Sequence, residues 1–321
     1  MNDVDALARG VRASDRRSVA RAITLVESRR PDDAARALAL LRALALEPRR
    51  GLRIGVSGPP GVGKSSLLEA LGVYLIGRGF RPFVLVIDPS SRRVGGSILG
   101  DKTRMAELAR SPRAFVRPSP SGDAAGGISH AAGDVLAVAE AAGFGPAFVE
   151  TVGVGQAELA VLDVVDLLLL LLEPGAGDEL QGIKRGLNEW ADVVAVTKAD
   201  AGRAELARRT SAEFDAAFRL LRGRDAPRVL SVSAHAGSGV ADLWSALDER
   251  HRALEASGEL VRRRAEQRKA ELHRRLSEAL LRRFMQQPGR AAALQRAEER
   301  VASGAELAAE AVWQLLDGSA G

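Results

Sequence analysis

Between residues 52 and 233 the chain alternates short apolar runs with longer stretches of helical periodicity. Runs at Leu52–Val56, Phe83–Ile87, Ala114–Arg117, Ala147–Val149, Leu167–Leu172, Val193–Val196 and Val229–Val232 are apolar at most successive positions. Strands of this kind are covered by helices on both faces. The alternation predicts an α/β fold with a mostly parallel, doubly wound sheet. Ligands in such sheets bind beyond the carboxyl ends of the strands, so the residues just after each run are the informative ones.

Outside that region only the helical rhythm remains. Asp15 to Ser28 reads as one helix, and Pro31-Asp32-Asp33 opens a second, with proline at a helix start and acids in the first turn. Ala37, Leu40, Leu41 and Leu44 continue it at helical spacing. Beyond residue 240 the strands disappear. Leu272, Leu276 and Leu280 recur every fourth residue, Phe284 lies next on the stripe, Pro288-Gly289 breaks the helix, and a last helix runs near Ala305 to Leu316. The organisation expected is an N-terminal helical extension over residues 1–50, an α/β domain over 51–250 and a C-terminal helical arm over 251–321. So thin an arm is not expected to bury its own core, and packing on a second subunit is the expectation.

With 321 residues there is room for one large α/β domain and its helical additions. A hydrophobic fraction of 46% and a charged fraction of 27% are ordinary for a globular protein. The net charge of +5 raises nucleic acid as a partner, but aromatics are only 4% and no aromatic-studded basic motif appears, so none is expected. Most arginines lie beside acids in helical sequence, which predicts solvated helix faces. The absence of cysteine excludes disulfides, thiolate metal sites and cysteine catalysis. His130, His235, His251 and His273 form no ligand spacing. The opening MNDVDALARG has no apolar signal core, and the longest apolar run is too short to cross a bilayer, so a cytoplasmic protein without a membrane partner is expected.

The sharpest chemical signal is Gly58-Pro59-Pro60-Gly61-Val62-Gly63-Lys64-Ser65-Ser66, set between the first apolar run and a helical pattern. This is G-x-x-x-x-G-K-[ST] in the strand–loop–helix context that the motif requires. Its glycines let backbone N–H groups approach phosphate oxygens. Lys64 can reach the β- and γ-phosphates, the Ser65 hydroxyl can ligate Mg²⁺, and the helix adds its positive dipole end. A nucleoside triphosphate is the expected ligand.

Other strand ends fit that ligand. Asp88 and Glu150 each follow an apolar run, where a carboxylate can hold Mg²⁺ directly or through water. Glu150-Thr151-Val152-Gly153 has the acid-x-x-Gly form of a switch whose glycine N–H senses the γ-phosphate. The next position, often a water-orienting glutamine in small GTPases, is Val154, and Gln156 lies two further on. Slow intrinsic hydrolysis, accelerated by a partner, is expected. Thr197-Lys198-Ala199-Asp200 resembles the guanine-reading N-K-x-D, with threonine for asparagine, and Asp200 can accept from the guanine ring N–H and exocyclic amine. Ser233-Ala234-His235 stands where a loop can support the base through backbone N–H groups. Two further polar, glycine-rich stretches, residues 88–105 with Asp101 and Lys102, and residues 173–187, are candidate switch loops.

Together these segments closely resemble the methylmalonyl-CoA mutase-associated GTPases (MeaB/ArgK type). The likeness is carried by GPPGVGKSS (58–66), DPSSRRVGGSILGDKTRM (88–105), ETVGVGQAE (150–158), PGAGDELQGIKRG (174–186), TKAD (197–200), SAHAGSG (233–239) and the helical RALEASGEL. The resemblance implies a P-loop GTPase with an N-terminal helical extension and a C-terminal arm for homodimerisation. It implies GTP/GDP and Mg²⁺ as ligands, Ser65, Asp88, Asp101 and Glu150 at the metal, and residues 175–186 as an additional switch loop. There Gln181 and Lys184 are the candidates for coupling partner binding to hydrolysis. The implied function is GTP-dependent chaperoning of an adenosylcobalamin-dependent acyl-CoA mutase, gating cofactor loading and protecting or rescuing the enzyme. Thr197 and Arg92-Arg93-Val94 depart from the family pattern.

The sequence speaks against two rival functions. A metallochaperone GTPase carrying nickel needs thiolate or clustered imidazole ligands, which the composition does not supply. A transport-associated kinase acting on a periplasmic binding protein would need to meet its substrate across a membrane, against the expected location.

Overall fold

The computed structural model describes residues 3–45, 51–88, 105–120, 131–151, 157–175, 189–200 and 202–317. The chain divides into two compact units, one up to Arg263 and one from Arg264.

The first unit is built on seven parallel strands: β1 (Arg53–Ser57), β2 (Phe83–Asp88), β3 (Phe115–Pro120), β4 (Ala147–Thr151), β5 (Leu167–Leu172), β6 (Val193–Val196) and β7 (Arg228–Ser231). Their order in the sheet is β3-β2-β4-β1-β5-β6-β7. Strand β1 is therefore central, with β4 and β5 beside it. The register sets Val56 opposite Glu150 on one side and Ser57 opposite Leu170 on the other.

Both faces are covered, and the leucine run of β5 shows how. Leu167, Leu169 and Leu171 pack with Ile54, Val56, Val193 and Ala195 on one face. Leu168 lies on the other face in the core of the N-terminal helices, and Leu170 and Leu172 pack there with Val194, Val196, Phe214 and Phe218. No polar residue fits at any of these positions; each buried leucine side chain contributes about 1.5–3 kcal/mol.

On the first face lie helices α4 (Lys64–Gly77), α5 (Ala106–Arg110) and the later α8 (Val240–Ala256). On the second lie α1 (Asp3–Arg12), α2 (Arg16–Glu27), α3 (Pro31–Leu44) and α6 (Ala132–Ala141) over one half of the sheet. Helix α7 (Ala204–Arg222) covers the other half.

The N-terminal helices thus share a core with β2, β3 and β4. Helix α2 begins where its cap predicts: the Asp15 carboxylate accepts from Ser18 N at 2.8 Å and from the Ser18 hydroxyl at 2.6 Å. Pro31 opens α3 at the first helical position, where its missing N–H costs nothing. Helix α1 is an addition to the sequence-based expectation; Val4, Leu7, Ala8 and Val11 form its buried stripe.

Helix α9 (Glu259–Met285) begins in the first unit. Its Arg263 donates to Asp166 O and pairs with Asp192 Oδ2 at 3.3 Å, while Arg250 of α8 pairs with Asp192 Oδ1 at 3.0 Å. The Asp192 side chain is 2% exposed. These arginines are not on solvated helix faces as their sequence surroundings suggested; they neutralise a buried carboxylate.

The second unit continues α9 and adds α10 (Arg290–Ala302) and α11 (Ala308–Asp317). Contrary to the expectation from its length, it buries a small core of its own: Ala293, Ala297, Ala311 and Leu315, with Phe284, Leu294 and Val301 packed against them. Phe284 has turned into that cluster, whereas Leu272, Leu276 and Leu280 remain exposed.

Candidate functional site

The site begins where β1 ends at the middle of the sheet. Gly58, at φ 152°, passes so near β5 that an added Cβ would lie 2.5 Å from Leu171 O. No residue with a side chain can stand there without moving backbone. Gly61 (φ 80°) and Gly63 (φ 99°) have no atom within 4 Å of an added Cβ, so the loop here is bare backbone beside open space. That is the shape a phosphate chain needs if N–H groups are to reach it.

Lys64 opens α4 and is buried, its Nζ donating to Gly58 O at 2.8 Å and Pro59 O at 3.0 Å. The ammonium lies inside the curl of the loop. Next to it the Ser65 hydroxyl donates to Glu150 Oε1 at 2.8 Å across 85 residues of sequence. Glu150, the penultimate residue of β4, is 5% exposed. Its position follows from the β1–β4 register, which sets it opposite Val56, just before the loop. A hydroxyl and a carboxylate are hard oxygen donors. They fit Mg²⁺, which keeps several waters and takes its remaining ligands from phosphates.

A second wall rises from the tips of β6 and β7. The Thr197 hydroxyl donates to Val62 O at 2.6 Å, with Leu172 O at 3.2 Å. Thr197 therefore fastens the loop at 197–200 to the phosphate loop, a tie the sequence did not reveal. Ala199 N donates to Val232 O at 3.2 Å, and the Ser233 hydroxyl donates to Asp200 Oδ2 at 3.3 Å. Ala236 N in turn donates to Ser233 Oγ at 3.0 Å. Asp200 is half-buried beside fully buried Ser233, Ala234 is half-buried, and His235 is exposed. The carboxylate is thus held, and partly screened from water, beside the loop of residues 233–236.

Most of the predicted residues converge: 58–66 form one wall, Glu150 the floor, and 197–200 with 233–235 the other wall. Asp88 ends β2, whose Ile87 pairs with Thr151, so its backbone stands at the same sheet edge. Asp101, Gly153, Gln181 and Lys184 lie outside the described residues. Sequence reasoning gave Glu173 no role. It follows β5 directly, and its Oε1 accepts from Lys198 Nζ at 2.6 Å. An acid just after a strand was the signal that marked Asp88 and Glu150, and it applied equally here.

Comparison with known proteins agrees with this geometry. The family described as methylmalonyl Co-A mutase-associated GTPase MeaB matches residues 19–289. The chain belongs to that family. It is a P-loop GTPase. A Mycobacterium tuberculosis GTPase is 45% identical over 317 residues, which cover 98% of this chain and 94% of that one. The mouse mitochondrial protein named methylmalonic aciduria type A homolog is 42% identical over 315 residues, 94% of this chain and 76% of its own. A crystal structure described as LAO/AO transport system kinase is 32% identical with a TM-score of 0.76, covering 99% of this GTPase and 98% of that chain.

Proposed function

We propose that this GTPase is a chaperone of an adenosylcobalamin-dependent acyl-CoA mutase of the methylmalonyl-CoA mutase type. It gates cofactor loading and protects or reactivates the mutase in exchange for GTP hydrolysis. The observation that carries this reading is the family match over 19–289, whose description ties these GTPases to methylmalonyl-CoA mutase. The mouse relative's name, methylmalonic aciduria type A homolog, supports it.

In this reading Lys64 leaves the loop carbonyls for the β- and γ-phosphates, and the N–H groups of 61–66 cradle them, with Gly58, Pro59 and Pro60 shaping the turn. Ser65 and Glu150, with Asp88 and Asp101, hold Mg²⁺, which supplies charge neutralisation for the developing phosphate oxygens. Gly153 senses the γ-phosphate. Asp200 reads guanine, Thr197, Lys198 and residues 233–235 shape its pocket, and the loss of two donors to the Asp200 carboxylate disfavours adenine. With Val154 where a glutamine could orient water, hydrolysis is slow alone, and Gln181 and Lys184 couple mutase binding to it. Leu272, Leu276 and Leu280, exposed along α9 with Trp313 and Leu316 on α11, support a homodimer formed through the 251–321 arm, beside the 51–250 GTPase domain and the 1–50 extension. Among the described residues no helix is long and apolar enough to cross a membrane, and we place the protein in the cytoplasm.

The test is GTP hydrolysis with and without a purified adenosylcobalamin-dependent mutase. A slow basal rate that rises at least about tenfold with the mutase is expected, given what positioning of the attacking water contributes in this chemistry. No stimulation and no complex with the mutase would remove the chaperone role. Label from the γ-phosphate appearing on a protein instead of as inorganic phosphate would point to kinase activity.

A further inference from the structure

The pair formed by Glu173 and Lys198 sits where two parts of the molecule meet. Both side chains are about a third exposed, at 36% and 37%. Exposed ion pairs of that kind usually add little, because two long side chains must be ordered in high dielectric. Arg208 with Glu205 on α7, at 71% and 73% exposure, is one such pair. The surroundings of Glu173 and Lys198 are different.

Lys198 has φ 54°, and among the described residues only Ser14 shares a positive φ without being glycine. An αL backbone at such a residue is disfavoured and persists only where neighbours over-determine it. The neighbours here are specific. Thr197 N donates to Leu172 O at 2.9 Å and Ala199 N to Val232 O at 3.2 Å, fixing the backbone that enters Thr197 and the peptide that follows Lys198. Glu173 is the residue after Leu172, so the strand end that receives Thr197 also presents the carboxylate. Two residues on, Gly175 N donates to Thr210 Oγ1 at 2.9 Å, and Thr210 is 1% exposed. The chain leaving β5 is thus held at 173 by the base loop and at 175 by α7. Little freedom is lost when this ion pair closes, since both backbones are already fixed.

We propose that Glu173 is a positioning residue for the guanine nucleotide. It holds Lys198 in its left-handed conformation, keeping loop 197–200 in the shape that sets Asp200 against Ser233. It thereby links an occupied base pocket to the first residues of the 173–187 stretch. This inference rests on the assignment of Asp200 as the guanine reader.

Four proteins test it: the full chain, Glu173→Gln, Glu173→Asp and Asp200→Asn. Each is measured for dissociation of a fluorescent GDP, competition by inorganic tripolyphosphate, and thermal midpoint. In Glu173→Gln, GDP dissociation is expected to accelerate about three- to fivefold, a change within the range of a partly exposed ion pair. Tripolyphosphate competition and the thermal midpoint stay unchanged, and Glu173→Asp falls between the two. A merely structural pair would lower the midpoint and leave dissociation alone. Unchanged dissociation in Glu173→Gln overturns the proposal. So does a parallel weakening of tripolyphosphate, which would mean a loosened phosphate loop. Asp200→Asn is expected to exchange guanine for xanthine preference; if it does not, the guanine assignment fails, and the role of Glu173 with it.

Discussion

Replacing Thr197 with valine removes one hydroxyl and nearly nothing else, so its effect can be worked through. A hydroxyl has one proton, and the 2.6 Å contact to Val62 O takes it in preference to the 3.2 Å contact to Leu172 O. Leu172 O also receives Thr197 N at 2.9 Å and keeps a donor in the variant. Val62 O loses its donor from Thr197 and gains a methyl group in its place. Thr197 is 4% exposed and Val62 fully buried, so water does not easily replace the lost bond. A buried acceptor deprived of a donor costs about 1–3 kcal/mol. Because Val62 lies inside the phosphate loop, part of that cost falls on binding. We expect Thr197→Val to unfold at lower urea by about 1–2 kcal/mol and to bind GDP up to about tenfold more weakly, the latter being 1.4 kcal/mol of the same loss. Thr197→Ser, which keeps the hydroxyl, should bind GDP nearly as the parent does, and Thr197→Asn, which offers an amide N–H, should lie close to it. Calorimetric titration with GDP beside urea unfolding makes the measurement. If Thr197→Val binds GDP as the parent does, or Thr197→Ser is as weak as Thr197→Val, the tie between the two loops carries nothing.

Gly58→Ala sets a Cβ 2.5 Å from Leu171 O and should destabilise the protein by about 1–3 kcal/mol while abolishing GDP binding. Gly61→Ala, with no atom in its way, should retain the fold with only the cost of its left-handed backbone; urea unfolding of the two separates crowding from conformation. Changing Leu272, Leu276 and Leu280 together to glutamine should leave GDP affinity unchanged and convert a dimer to a monomer in sedimentation equilibrium; an unaltered mass would exclude this stripe from the interface. Hydrogen bonds from the Ser18 hydroxyl and then Ser18 N hold the Asp15 carboxyl below its ordinary value of 3.8. A lowered folded pKa gives stability that is complete above the unfolded value and lost as pH falls through the folded one. Asp15→Ala should therefore melt below the parent by a constant interval from pH 7 to about 5, an interval that closes as pH drops below 3.8.

What the sequence disclosed, and what it withheld, follows the range of the interactions involved. Strands β5 and β6 begin and end where their apolar runs do, because burial on both faces leaves no ambiguity. Strand β3 runs on to Pro120, past the expected end at Arg117, because it is an edge strand and its prolines need no donor on the outer side. Strand β4 continues through Glu150 and Thr151 because Val86 and Ile87 of β2 pair with them, which local apolarity does not signal. The stripe of α1 was present at positions 4, 7, 8 and 11, but a segment of ten residues beside charged neighbours is weak as a pattern and becomes a helix by packing on α2 and α3. The phosphate loop was legible because its chemistry is contiguous. The acids were legible only as residues after strands.

Strand order is what turns those scattered strand ends into a site. With β4 beside β1, Glu150 meets Ser65 from 85 residues away. With β5 beside β6, the carboxylate at 173 meets the ammonium at 198, and Thr197 reaches Val62 across 135 residues. The opposite end of the same strands carries Asp192, gathering Arg250 and Arg263 from 58 and 71 residues away. Each of these contacts joins residues whose meeting is fixed by the strand order, so none can be inferred from spacing alone. It also follows that the phosphate loop and the base loop are not independent modules. Thr197 touches the first, Lys198 turns to Glu173, and Asp200 meets Ser233, all within four residues at the tip of one strand. A change at Thr197 is therefore expected to reach both loops, whereas Glu173 touches that tip only through Lys198.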